Sequence, residues 1–337
     1  MHSFSFNRPT DVAAAIAAAS ATVTAQQGAT VRYLAGGTTL VDLMKLGVER
    51  PETIVDVRGL GFDTIREDED GGLEVGATVR NADLARNDIV GANYRALSEA
   101  LMAGASPQLR NAATTAGNLL QRTRCVYFRD VASPCNKRLP GSGCPAIKGT
   151  NRTLAILGTS RSCIATHPSD MAVAMLAYEA TVTVRGANNE RRIPLMDFYR
   201  LPGDRPDIEN VLQPGDLITS VKLPARPQGE RAGYLKLRDR ASYEFALASA
   251  AAAVVVKNGR IASARLALGG VGTRPWRVVG AEKALVGQAP GTELFRHAAD
   301  VALARAEPQS ENGFKIELAR RCVIALLDRL TAAGEAQ

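Results

Sequence analysis

Four of the five cysteines lie within thirty-nine residues, Cys125, Cys135, Cys144 and Cys163, spaced C-x9-C-x8-C-x18-C; Cys322 stands alone in an apolar helical stretch. Thiolates at such positions bind soft metals or pair with one another. Three chemistries compete here: two disulfides, a structural zinc, or an iron–sulfur cluster. The segment lacks the paired C-x2–4-C knuckles usual for zinc, and the chain is long enough to bury its cores without disulfide staples. Pro134, Pro140, Gly141, Gly143 and Pro145 punctuate the loop with tight turns. Arg122, Arg124, Lys137, Arg138 and Lys148 would offset the charge of thiolate ligands, or simply be solvated. Spacing alone leaves all three readings open.

Two small-residue turns offer different chemistry. Ala35-Gly36-Gly37-Thr38-Thr39-Leu40 follows a strand and opens a helix, where glycines let the backbone approach a diphosphate and free N–H groups face an anion. It matches neither G-x-G-x-x-G nor G-x-x-x-x-G-K-[ST], so Rossmann and P-loop readings are unsupported. The stretch Asn111 to Asn118 combines small side chains with Thr114, Thr115 and an amide, a composition suited to close packing around a ligand or to a tight helix–loop junction. Asp170, in His167-Pro168-Ser169-Asp170, either caps the next helix or accepts from a ribose hydroxyl. No nucleophile–base pair and no paired catalytic carboxylates occur, which points away from acid–base catalysis by this chain.

The elements that must position these residues follow from patterning. The chain has 337 residues, 46% hydrophobic and 22% charged, an ordinary globular composition. That length predicts two or three domains. The net charge of +7 is dispersed, without the long like-charge runs of a nucleic-acid tail. The longest apolar run, Phe245 to Val256, is too short to cross a bilayer. Val12 to Ala19 mimics a signal-peptide core, but Thr10 and Asp11 before it read as a helix cap, so no export signal is expected. Strands are expected at Val31–Ala35, Thr53–Val57, Leu73–Thr78, Ala180–Arg185, Arg192–Leu195 and Asp216–Pro224, with helices at Leu40–Lys45, Asn81–Ala85, Asn93–Gly104 and Asp170–Leu176. After a linker at Pro224–Gly229, strands at Gly233–Leu237, Ala248–Lys257 and Ile261–Leu268 precede helices at Trp276–Val286, Leu294–Arg305 and Gly313–Leu330, which predicts a separate α+β domain. Gln121 to Thr150 reads as a long irregular loop, and such loops are usually functional.

The order A-G-G-T-x-L from Ala35, T-x-G-N from Thr115, and S-D at Ser169-Asp170 resembles the FAD-binding subunit of the molybdenum hydroxylases, the xanthine dehydrogenase, carbon monoxide dehydrogenase and aldehyde oxidoreductase family. Leu268-Gly269-Gly270-Val271-Gly272-Thr273-Arg274-Pro275-Trp276-Arg277 is similar to that family's C-terminal flavoprotein domain, so the resemblance covers nearly the whole chain. Fifty-one residues separate Asn118 from Asp170, where most of the family has a short loop. The excess, with Arg124-Cys125-Val126-Tyr127-Phe128 and Pro134-Cys135 to Gly143-Cys144, looks closest to the [4Fe-4S]-bearing subunit of periplasmic aldehyde oxidoreductases.

The resemblance implies an α+β fold: a two-part FAD-binding domain of the vanillyl-alcohol-oxidase (PCMH) type over 1–224, then a smaller C-terminal flavoprotein domain over 229–333. The first part would divide at 58/59, with a cluster-bearing insertion at about 121–165. It implies that Ala35, Gly36, Gly37, Thr38, Thr39 and Leu40 cradle the FAD diphosphate and that Thr114, Thr115, Gly117 and Asn118 form a second wall. Asp170 would hold the adenosine ribose, with Leu217 and Lys236 near the flavin. Ala116 departs from the glycine common in relatives. Cys125, Cys135, Cys144 and Cys163 would bind a [4Fe-4S] cluster. The implied function is a FAD and [4Fe-4S] electron-transfer subunit of a molybdenum-dependent aldehyde oxidoreductase. Its partners would be a molybdenum-cofactor large subunit, a small subunit with two [2Fe-2S] clusters and an external acceptor. It would reach the periplasm with a signal-bearing partner, or else remain in the cytoplasm. The contrasting readings are a zinc-stabilised phosphate- or RNA-binding module and a stand-alone flavin oxidase.

Overall fold

A computed structural model describes residues 1–332, so the expected domain end at residue 333 lies outside the described residues. The first layer is a parallel sheet of β1 (Ser5–Asn7), β2 (Val31–Leu34) and β3 (Thr53–Asp56), in the order β1-β3-β2. Helix α1 (Val12–Ala19) follows β1, and α2 (Leu40–Lys45) connects β2 to β3. The Asp11 side chain caps α1 by accepting from Ala14 N at 2.8 Å, which is why the alanine run is a helix with a defined start.

The second layer is a five-stranded antiparallel sheet. Its strands are β4 (Ile65–Glu67), β5 (Leu73–Gly76), β6 (Thr181–Arg185), β7 (Glu190–Pro194) and β8 (Leu217–Leu223), ordered β4-β5-β8-β6-β7. Between β5 and β6 come α3 (Asn81–Arg86), α4 (Asp88–Asn93), α5 (Arg95–Ala103), α6 (Pro107–Arg110) and α7 (Thr115–Leu119). They are followed by α8 (Val126–Arg129), a 3-10 turn at Pro145–Ile147, and α9 (Asp170–Ala177). Every residue of α9 is buried, in keeping with its nearly continuous apolar sequence. Helix α10 (Leu195–Phe198) begins at the residue expected to end a strand.

The third layer is an antiparallel sheet of β9 (Glu230–Leu237), β10 (Ala248–Lys257), β11 (Arg260–Gly269) and β12 (Trp276–Arg277), with α11 (Val279–Leu285), α12 (Thr292–Leu303) and α13 (Phe314–Thr331). The helix expected from Trp276 starts three residues later. Leu268 and Ala267 instead capture Trp276 and Arg277 as a short edge strand. Two sheets with their helices, followed by a smaller α+β unit, are the arrangement that the resemblance implies. No helix among the described residues is long and apolar enough to cross a membrane.

Candidate functional site

The two small-residue turns meet. Gly37 sits at φ +73°, a left-handed conformation that turns β2 into α2 and favours glycine. Gly36 faces the other turn so closely that an added Cβ would lie 2.0 Å from the Ala112 carbonyl oxygen. That second turn is fastened to the chain leaving β5: Thr115 N donates to Val79 O and Ala116 N to Ala77 O, both at 2.9 Å, while Asn81 N donates to Ala113 O at 2.8 Å. The expected diphosphate cradle and its second wall are therefore held by two different sheets and placed face to face.

Two cavities open from this junction and share Thr38, Thr39 and Gly117. The narrower, about 200 Å³, is lined by Ala35 to Leu40, Tyr33, Phe62, Thr78, Thr114, Ala116 and Leu217. The wider, about 510 Å³, is lined by Asn81, Arg110, Asn118, Arg124, Arg129, Asp170, Lys236, Arg240 and the segment Tyr243–Phe245. Together they form an extended groove of the size that dinucleotide cofactors occupy. Along its floor the Thr78 Oγ1, Asn81 Oδ1 and Thr114 Oγ1 atoms are buried without a hydrogen-bond partner. Buried polar atoms are rarely left unpaired unless a ligand or water serves them. The donor set, the glycine junction and the elongated shape fit FAD.

The other expected residues divide clearly. Thr115 lines neither cavity; its hydroxyl donates to Val79 O at 3.2 Å and anchors the turn from behind. Asn118 Oδ1 accepts from Ser169 Oγ at 2.7 Å, and Ser169 caps α9, so the G-N and S-D motifs touch despite their separation in sequence. Lys236 Nζ donates to Asp170 Oδ2 at 2.8 Å in a buried ion pair. Asp170 and Lys236 were assigned to opposite ends of the cofactor, yet they form one contact. Leu217, grouped with Lys236, lines the other cavity. Thr78 and Asn81, just after β5, and Arg110, at the end of α6, carry no sequence signal, because isolated polar residues form no motif.

The wide cavity is cationic. Asp42 accepts from Arg129 at 2.8 Å and from Arg124 at 3.1 Å, and the Arg129 hydrogen bond holds its carboxyl below the usual range. Arg110, buried, donates to the Gly104 carbonyl at 2.7 Å, and no carboxylate among the described residues pairs with it; burial, then Arg86, lowers its pKa. An unpaired guanidinium beside the groove suits an anionic ligand.

The cysteine loop requires a correction. Cys125, Cys135, Cys144 and Cys163 converge on one void, but its volume is about 10 Å³, room for a single water rather than four irons and four sulfides. The void is enclosed with Phe128, Pro134 and Ala146, and the thiols pack in an apolar cluster with Leu43, Val48, Leu154 and Ile164. Burial pushes the Cys125 thiol up to about 12 and raises Cys144 and Cys163, which favours the protonated form over the thiolate a metal needs. Among the described residues no group of three or more His, Cys, Asp or Glu side chains is placed to hold a metal ion. The expected [4Fe-4S] cluster, the cluster-bearing identity and the FAD plus [4Fe-4S] function drawn from it are overturned.

Residues 2–226 match the model of the FAD binding domain in molybdopterin dehydrogenase, and 233–333 that of the CO dehydrogenase flavoprotein C-terminal domain. The chain belongs to the FAD-binding subunits of the molybdenum hydroxylases. It is 51% identical over 310 residues to the aldehyde oxidoreductase FAD-binding subunit PaoB of Escherichia coli K12, covering 92% of this chain and 94% of that protein. It is 27% identical to the carbon monoxide dehydrogenase medium chain of Afipia carboxidovorans, covering 90% of this chain and 86% of that one. Reconstituted CO dehydrogenase from Oligotropha carboxidovorans superposes with a TM-score of 0.77 at 24% identity, covering 99% of each chain, and so shares the fold. A member of this family is an oxidoreductase subunit that carries the flavin half of an electron-transfer reaction, which agrees with the absence of acid–base constellations in the sequence.

Proposed function

We propose that the groove holds FAD with its diphosphate at Thr38, Thr39 and Gly117, where the two cavities meet, and that the two cavities take the two ends of the cofactor. The carrying observation is the glycine junction: two turns from separate sheets approach so closely that Gly36 has no room for a side chain, and unpaired buried oxygens line the floor on either side. Bound FAD supplies reversible electron uptake, and the protein's share is placement and tuning. Gly36, Gly37 and Gly117 let main-chain N–H groups approach the phosphates. Thr78 and Thr114 add hydroxyl donors, and Arg110 balances charge.

The chain works as the flavin-carrying member of a larger assembly. With FAD held by these residues, the chain would take electrons from a small subunit with two [2Fe-2S] clusters, drawn from a molybdenum-cofactor subunit, and make them available to an external acceptor. The name of the 51%-identical relative, an FAD-binding subunit of an aldehyde oxidoreductase, supports this division of labour. Purified chain should release close to one FAD on denaturation, or take it up on titration with quenching of flavin fluorescence. A folded chain that fails to bind FAD at micromolar concentration overturns the reading. Co-purification with the two partners, and reduction of the flavin by an aldehyde only when both are present, tests the assembly.

A further inference from the structure

Tyr234 stands one layer behind the wall of the wide cavity. Its ring is buried, it does not line the groove, and its hydroxyl donates to Asp170 Oδ1. Burial, reinforced by Asp170, raises its pKa well above the usual tyrosine value, so the phenol remains a donor. Lys236, two residues along β9, donates to the other carboxylate oxygen at 2.8 Å and to the Ala103 carbonyl at 3.1 Å. Both oxygens of Asp170 are thus held by the C-terminal sheet. Tyr234 is itself fixed: its N–H donates to Glu99 Oε2 at 2.7 Å, and its carbonyl accepts from Arg329 at 3.1 Å. Asp170 opens α9 beside the cap Ser169, and Ser169 donates to Asn118, the neighbour of Gly117 in the dinucleotide turn. Two sets of hydrogen bonds, joined through the adjacent residues Ser169 and Asp170, therefore link β9 to the turn where the two cavities join.

We propose that Tyr234 is a positioning residue for the cofactor: through Asp170, Ser169 and Asn118 it ties the seating of the C-terminal sheet to the geometry of the turn at Gly117. A carboxylate held by two fixed donors has one orientation, and that orientation sets where Lys236 projects into the wide cavity. The inference rests on the FAD reading given above.

The test uses the full chain. Wild-type protein is first titrated with FAD; failure to bind would sink the FAD reading itself, separately from this inference. Given binding, Tyr234→Phe keeps the ring and removes only the hydroxyl. FAD affinity should fall about 10-fold, and the visible circular dichroism of bound flavin should change, while the unfolding midpoint of the FAD-free chain moves by no more than about 2 °C. Ser169→Ala, which breaks the link to Asn118, should reproduce the loss. Should Tyr234→Phe not fold, Lys236→Gln reads the same carboxylate from its other oxygen, with the same expected loss. Wild-type affinity and an unchanged flavin spectrum in the folded variants would overturn the proposal. So would a fall in stability equal with and without FAD, since that marks a packing role alone.

Discussion

Gly36 concentrates the site into one missing methyl group. A Cβ there would sit 2.0 Å from the Ala112 carbonyl oxygen, so Gly36→Ala must separate two turns anchored in different sheets. We expect FAD content near zero and a stability loss of about 2–4 kcal/mol, read by flavin release and urea unfolding. Gly59→Ala, where a Cβ meets nothing within 4 Å, is the control and should bind FAD normally. A second residue-scale prediction concerns His167. Its Nε2 is enclosed without a partner, and burial lowers its pKa to about 4, with Glu209 opposing and Lys137 assisting. The unfolded chain takes up the proton near pH 6.5 and the folded one only near 4, so stability is complete above 6.5 and falls as pH drops through that window, by about 1 kcal/mol per unit. Glu209 extends the loss lower. Burial opposes its charge, but Arg122 and Lys137 hold its pKa at about 2, so its contribution fades between about 4.5 and 2. Chemical denaturation across pH should show both slopes, and His167→Gln should flatten the upper one. At this scale the sequence marked the glycines, Asn118 and Asp170, because backbone approach and capping leave a trace in residue type. Thr78 and Asn81 left none: their importance is an unpaired oxygen, which appears only when the chain closes round it.

Among the elements, those with local causes were readable and those made by distant pairing were not. Asp11 before an alanine run specifies α1, and the run of β-branched and apolar residues from Leu217 to Leu223 specifies β8. In sequence β12 reads as the start of a helix, because its two residues pair with Leu268 and Ala267, a contact no local window contains. The cysteine loop shows the same limit. Its four cysteines are close in sequence, but the space left between them depends on the side chains that line it, Phe128, Pro134 and Ala146 among them. Helix α13 carries a further element-scale consequence. Its Lys315 is fully buried, and Nζ donates to the carbonyls of Thr153, Leu154 and Gly270 at 3.1, 2.8 and 2.5 Å, stapling the end of the cysteine segment to the C-terminal domain. Lys315→Met should leave those carbonyls unserved and cost about 3 kcal/mol. Hydrogen exchange should accelerate at 151–157, and a variant as protected as wild type would show that the staple is dispensable.

The patterning after Gly229 predicts a C-terminal domain separate from the FAD-binding one, and its strands form a sheet of their own. The cores are not separate. Strand β10 alternates between two interiors: Ala251 and Ala253 join the core built on α5 and α9, while Ala248, Ala250, Ala252 and Val254 join the core under α12 and α13. Tyr234 and Ala232 of β9, with Ala267 of β11, extend the first of these cores. Alanines on both faces let helices approach the sheet closely from either side, so the small-residue run that looked merely apolar in sequence is what makes the sheet an internal layer. Two domains sharing a core that large should unfold as one. We therefore expect calorimetry to give a single transition for the full chain with or without FAD, with coincident loss of secondary structure and of tryptophan signal from Trp276. A chain ending at residue 226 should expose the apolar faces of α5 and α9, lose the Lys236 wall of the wide cavity, self-associate and bind FAD weakly. Two separated transitions, or a monomeric 1–226 fragment with full FAD affinity, would mean that the C-terminal sheet rests on the cofactor domain without contributing to it.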